Sequence, residues 1–132
     1  MAIEVGASAS WQRRVDADMT ADRWGNPGVL VLATPHLVGL FEATSVRAIQ
    51  AFLEPGQSSV GTHVDIRHLK ATPVGDTVTL SAEVTAIEGR RVTFKVRAED
   101  SQGVAGEGTH ERMLVDLDRF MQRVASRPLE SR

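Results

Sequence analysis

Three side chains in this sequence could do chemistry together. Thr34 stands directly before Pro35 at the head of TPHLVGLFEATSVRAIQAFL, where its hydroxyl can cap a helix or face a substrate at the positive helix end. Glu42 is the single formal charge between Thr34 and Val46, flanked by Phe41 and Ala43. A carboxylate in apolar surroundings resists ionisation unless it is paired, so it can be tuned for proton transfer or for holding a water. His68 is the third, beside the polar run Lys70-Ala71-Thr72-Pro73, with an imidazole that titrates near neutral pH. His63 lies five residues earlier on the same predicted strand, and an odd spacing sends the two rings to opposite faces, which argues against a two-histidine metal site. His36 and His110 are read as structural histidines. No G-x-S-x-G, H-E-x-x-H, G-x-G-x-x-G or P-loop pattern occurs, so serine-hydrolase, zincin and nucleotide-binding explanations lose their main support.

The elements that must position these groups follow from periodicity. Residues 34 to 53 predict a helix with Thr34 as N-cap and Pro35 at its first position, stopped by Leu53-Glu54-Pro55-Gly56. Leu37, Leu40, Phe41, Ala48, Phe52 and Leu53 recur at three- and four-residue spacing, while Gly39 and Ala43 leave room for another backbone. Downstream the period changes to two. Val78, Leu80, Ala82, Val84 and Ala86 alternate with polar residues, Val92, Phe94, Val96 and Ala98 do the same, and Glu88-Gly89 supplies the turn between them. Residues 58 to 71 predict a further strand, 103 to 117 a last one loosened by glycines, and 9 to 19 an early one. Leu117, Phe120, Met121 and Val124 mark a short C-terminal helix at 117 to 126, after which the RPLESR end is expected to fray.

The expected layout is α+β: an antiparallel sheet of about five strands wrapped around one long central helix, the hotdog arrangement. A single domain would span 1–132 with its core in about 9–120. One such unit leaves a sheet edge and part of the helix uncovered, so a homodimer with a continuous sheet is expected, with higher assembly open. The formal net charge of -2 comes from 15 Lys and Arg against 17 Asp and Glu without a long block of either sign, which speaks against nucleic acid. There are no cysteines, hence no disulfides, thiolate nucleophile or Cys-ligated zinc. With no run of 18 apolar residues and no signal-peptide pattern, a soluble cytoplasmic protein without a membrane partner is expected.

The stretches VLATPHLVGLFEATSVRAIQAFLEPGQSSVGTH, RHLKATPVGDTVTL, IEGRRVTFKVRAED and GEGTHERMLVDL resemble the fluoroacetyl-CoA thioesterase family from about Val29 to Phe120. The resemblance implies a hotdog fold and hydrolysis of a small acyl-CoA to free acid and CoA. It also implies a threonine before the central helix, a glutamate on it and a histidine at the next strand's end, at Thr34, Glu42 and His68, with the substrate-contacting glycine of the VGT motif at Gly61. One departure stands out. Where fluoroacetyl-selective members carry an aromatic lid residue shortly before the threonine, this sequence has Gly28, with Trp24 the only nearby aromatic. The resemblance therefore implies the reaction more firmly than a fluorinated substrate.

Along a regular helix, the eight residues from Thr34 to Glu42 rise about 12 Å, too far for a direct hydrogen bond. Either the helix starts later or two subunits share the site. Backbone N–H groups near Gly61 or the helix start would stabilise the oxyanion, His68 would act as base, and Glu42 would orient the Thr34 hydroxyl or a water. No cofactor or metal is expected, CoA entering only as part of the substrate. Its phosphates would meet basic residues among Arg47, Arg67, Lys70, Arg90, Arg91 and Arg112. Two alternatives share the fold, a non-catalytic acyl or aromatic ligand-binding protein and a hotdog dehydratase.

Overall fold

The structure, a computed structural model, describes residues 2–129; Met1 and residues 130–132, the outer ends of the expected 1–132 unit and of its frayed tail, lie outside the described residues. The elements run β1 (Ser8–Arg14), α1 (Thr34–Ile49), β2 (Gln57–His68), β3 (Thr77–Glu88), β4 (Arg91–Asp100), β5 (Gly103–Asp116) and α2 (Leu117–Ala125). The strands form one sheet in the order β1-β3-β4-β5-β2, every neighbouring pair antiparallel. This is the expected hotdog arrangement, with α1 packed chiefly on β3 and β1.

The core is what the two periods dictate. Val78, Leu80, Ala82 and Val84 of β3 and Val92, Phe94, Val96 and Ala98 of β4 are buried against Leu37, Leu40, Phe41, Ala48 and Ile49 of α1. Each such large side chain contributes roughly 1.5–3 kcal/mol on burial. Ala86 departs from the expected alternation. The register shifts between Val84 and Ala86, so Ile87 pairs with Val92 and packs on the core in its place.

Other expectations are corrected at element ends. The N-cap of α1 is Ala33, not Thr34, which is already helical, and Pro35 sits one position further in. The helix stops at Ile49, and Gln50–Phe52 forms a 3-10 turn that carries the partly buried Phe52. The early strand ends at Arg14, followed by a 3-10 turn at Ala17–Met19. Glycines do not end β5, which runs 14 residues with one shift of register against β4, at Ala105. A Cβ at Gly106 would come within 2.9 Å of Leu37 Cδ2, and one at Gly108 within 2.6 Å of Ile66 Cα and into the Asp65 carbonyl. These glycines let β2 and α1 close onto β5.

β1 and β2 are the sheet edges. β1 is short, whereas β2 has 12 residues and is exposed from Gly61 to Asp65, a row of main-chain groups open to another strand. Gly39 on α1 is likewise exposed, with nothing within 4 Å of where a Cβ would stand. Among the described residues no helix is long and apolar enough to cross a membrane.

Candidate active site

Thr34 and His68 meet. Because Ala33 takes the cap position and no side chain caps α1, the Thr34 hydroxyl is released from that duty and lies 2.7 Å from His68 Nδ1. The approach is built by a strand ending beside a helix beginning. The Leu69 N–H donates to the Ala105 carbonyl as β2 ends, while the Leu32 N–H donates to Thr72 and the Ala33 N–H to Met19, setting the first turn of α1 beside it. Burial holds the His68 imidazole below the ordinary histidine range, opposed in part by the Lys70 backbone. The ring is therefore neutral at pH 7, as a base must be. Its buried Nε2 has no hydrogen-bond partner among the described residues.

The pair opens into a cleft of about 310 Å³ lined by Val29, Val31, Leu32, Ala33, Leu69 and Lys70 among others. Its only ring is the His68 imidazole; Trp24 is 55% exposed and lies outside the lining. Gly28, in the loop before Thr34, has φ +83° and open space where a Cβ would be.

Glu42 lies elsewhere. Since α1 is regular from Thr34 onward, a later helix start is excluded, and about 12 Å of axial rise separates the two side chains within one chain. Glu42 is also not enclosed by apolar groups as the sequence suggests. Its side chain is 42% exposed and pairs with Arg112, Nη1 to Oε2 3.1 Å. Arg112 is buried, donating from Nε to Ser59 Oγ at 2.8 Å and from Nη2 to the Ser59 carbonyl at 3.1 Å. His110, also buried, stands 3.2 Å from Arg112 Nη1 through Nε2 and 2.8 Å from the His63 carbonyl through Nδ1. Gly61 completes this second cluster. A Cβ there would collide with Glu42 Oε2 and stand 3.3 Å from Arg112 Nη1 and His110 Cε1, so only glycine lets the carboxylate lie against β2.

The four expected site residues thus fall into two pairs, Thr34 with His68 and Glu42 with Gly61. Arg112 is expected from the sequence only as one of six possible CoA-binding cations and His110 only as a structural histidine, so neither is placed beside Glu42 by the sequence. The signal was present, since positions 110 and 112 share one strand face, but nothing in β5 alone says that Glu42 crosses over them. Of the six basic candidates for CoA, Lys70 lines the cleft, its Nζ donating to the Gln102 carbonyl. Arg112 is consumed by Glu42 and Ser59, Arg47 lies 3.7 Å over the Trp11 ring, and Arg91 is beside Glu88 and Glu111. Among the described residues no three His, Cys, Asp or Glu side chains gather as a metal site.

Comparison with known proteins matches residues 15–118 to the family described as FlK, fluoroacetyl-CoA-specific thioesterase. The chain is 46% identical over 94 residues, 71% of its length and 68% of the relative's, to a fluoroacetyl-CoA thioesterase of Streptantibioticus cattleyicolor. A solved structure of the fluoroacetyl-CoA thioesterase FlK superposes with a TM-score of 0.89 at 36% identity, covering 98% of this chain and 100% of that one. A threonine-to-serine variant of FlK solved with acetyl-CoA gives 0.88 at 36% identity over 93% and 97% of the two chains. A hypothetical Thermus thermophilus protein of the thioesterase superfamily gives 0.86 at 28% identity, over 93% and 91%.

Proposed function

The chain belongs to the fluoroacetyl-CoA-specific thioesterase family and is an acyl-CoA thioester hydrolase, and we propose that it cleaves a small acyl-CoA at a site which two copies build together in the cytoplasm. The contact that carries this reading is the 2.7 Å approach of Thr34 Oγ1 to His68 Nδ1. His68 takes a proton from the Thr34 hydroxyl, or from a water that the hydroxyl holds, and the oxygen adds to the thioester carbonyl. The carbon–sulfur bond then breaks. The CoA thiolate leaves without a strong acid because its conjugate thiol is acidic, and it collects the proton from His68. On the threonine route a water then hydrolyses the ester. Both routes consume one water and yield acid and free CoA without a cofactor.

Two contacts support a shared site. Thr34 touches His68, Glu42 touches Gly61, and the midpoint of residues 34 and 42 is 38 while that of 61 and 68 falls between 64 and 65. A two-fold axis passing the exposed Gly39 region of α1 and the exposed Val64–Asp65 centre of β2 would therefore bring the partner subunit's Glu42 to Thr34. The same axis would bring the partner subunit's Gly61 to His68. Antiparallel pairing of two β2 edges gives that symmetry and continues the sheet.

The cleft, whose apolar lining is aliphatic and holds no Phe, Tyr or Trp, and Gly28 favour small alkyl acyl groups over selection for a fluorinated one. A thiol-release assay across acetyl-, fluoroacetyl-, propionyl-, phenylacetyl- and longer acyl-CoAs tests this. Turnover of short acyl-CoAs without a large preference for fluoroacetyl-CoA is expected. Binding with background thiol release would instead make the protein a ligand-binding module, and conversion of an added 3-hydroxyacyl-CoA to the enoyl-CoA and water, without free CoA, would make it a dehydratase.

A further inference from the structure

We propose that His110, held as the neutral Nδ1–H tautomer, is a positioning residue that aims Arg112 and through it Glu42. This rests on the reading that Glu42 takes part in hydrolysis. Two contacts of the His110 ring carry the proposal. Its Nδ1 lies 2.8 Å from the His63 carbonyl, which can only accept, so Nδ1 carries the hydrogen. Its Nε2 lies 3.2 Å from Arg112 Nη1, which can only donate, so Nε2 offers its lone pair. Both contacts are satisfied by one tautomer and by neither the other tautomer nor the imidazolium. The ring is 1% exposed and stacked on Phe94 of β4, centroids 6.0 Å apart, which leaves it little freedom to turn.

Arg112 needs such a second anchor. Ser59 fixes its Nε and Nη2 edge, but Nη1, the nitrogen that holds Glu42 Oε2, is shared with His110 Nε2. The acceptor on His110 sets where Nη1 sits beneath Glu42 and beside Gly61. The ionisable groups facing the imidazole are Arg112 on its own strand, Glu42 from α1 at 4.0 Å and His63 from β2. Burial first and the Arg112 charge second lower the His110 pKa, the His63 carbonyl and to a smaller degree Glu42 oppose them, and the net direction is downward, so the neutral form that the geometry requires is also the one favoured at pH 7. A proton on Nε2 would turn the acceptor into a donor facing Arg112 and drawn to Glu42, releasing the guanidinium.

Two isosteric variants separate positioning from mere filling. His110→Gln can present its amide oxygen where Nε2 stood and keep the bond to Arg112. His110→Asn can keep the donor to the His63 carbonyl but is too short to reach Arg112. With acetyl-CoA as substrate, His110→Asn is expected to lower kcat on the order of tenfold with KM little changed, and His110→Gln to stay within a few-fold of the parent. Long-range proton–nitrogen NMR of the full-length protein, labelled on imidazole nitrogen, reads the tautomer independently of turnover and of how well either variant folds. Equal kcat in the two variants, or an Nε2–H or doubly protonated His110 at pH 7, overturns the proposal. Glu42→Gln separates the two readings: undiminished turnover there, with His110 still in the Nδ1–H form, removes Glu42 from the reaction and leaves the His110–Arg112 geometry standing.

Discussion

The two ends of the candidate site, one at the start of α1 and one at its middle, are built on opposite lines. At the Thr34 end, an exposed hydroxyl and a half-buried imidazole sit where a helix begins and a strand stops, joined by a single side-chain contact. Eight residues on, Glu42 is held from mid-helix by a buried arginine from mid-strand, which is itself held by Ser59 and His110. A group that must gain and lose a proton is served by freedom from structural duty, and the displacement of the cap to Ala33 supplies that freedom. A carboxylate that must keep its direction is served by fixed partners, and Arg112, itself anchored by Ser59 and His110, supplies one. Under the proposed two-subunit site neither half is complete alone, and each holds what the other lacks.

The sharpest way to break this division is to disable one end at a time. His68→Ala is expected to lower kcat by about 10²–10⁴-fold, the usual contribution of a positioned base, while thermal melting stays near the parent. Glu42→Ala is expected to be impaired as well. Mixing the two impaired chains after mild unfolding and refolding then tells where the halves meet. If the site is shared, each mixed dimer regains one intact site, and a one-to-one mixture recovers about a quarter of parental activity. Activity that stays at the level of the separate variants would put each site within one chain and end the two-fold argument.

A smaller effect tests the charge-holding end alone. Gly61→Ala places a methyl group against Glu42 Oε2, so the carboxylate or the Arg112 beneath it must move. Displacement of about 1 Å at a reacting group commonly costs far more in rate than in stability. The expected outcome is a fall in kcat/KM on the order of tenfold with acetyl-CoA and a nearly unchanged melting temperature. An unaffected kcat/KM would mean that the position of Glu42 does not matter to turnover.

How far the sequence could be read follows the same division. Alternation in β3 and β4 and the helical period of α1 were legible because burial of one face imposes a period on residue type, and those elements stand where expected. The bulge that replaces Ala86 by Ile87 was not, since an extra residue in a strand leaves no mark on composition. Glycines 106 and 108 were misread as a loosening of β5 because what they admit, the backbone of β2, is distant in sequence. Thr34, Glu42 and His68 were visible as types out of keeping with their neighbours. The pairing of Glu42 with Arg112, 70 residues away, was not, because long-range contacts depend on strand order and local pattern does not specify strand order.

The smallest predicted effect compares the two ends through pH. His68 at one end and His110 at the other both have pKa values lowered by burial, as does His36 near Arg13. In the unfolded chain each protonates at about 6.5. Between that value and the lowered folded one, the unfolded chain binds more protons, so stability rises with pH across that interval. The contribution is complete above about pH 6.5 and is lost as the pH falls toward the folded values. Urea midpoints should accordingly be lower at pH 5.5 than at pH 7.5. The difference should shrink more in His110→Gln than in His36→Gln, because His110 is sealed in the core and His36 is only partly covered. A midpoint that holds steady or climbs on acidification would mean that these imidazoles accept protons in the folded protein as readily as in water, and neither end would then be poised as described.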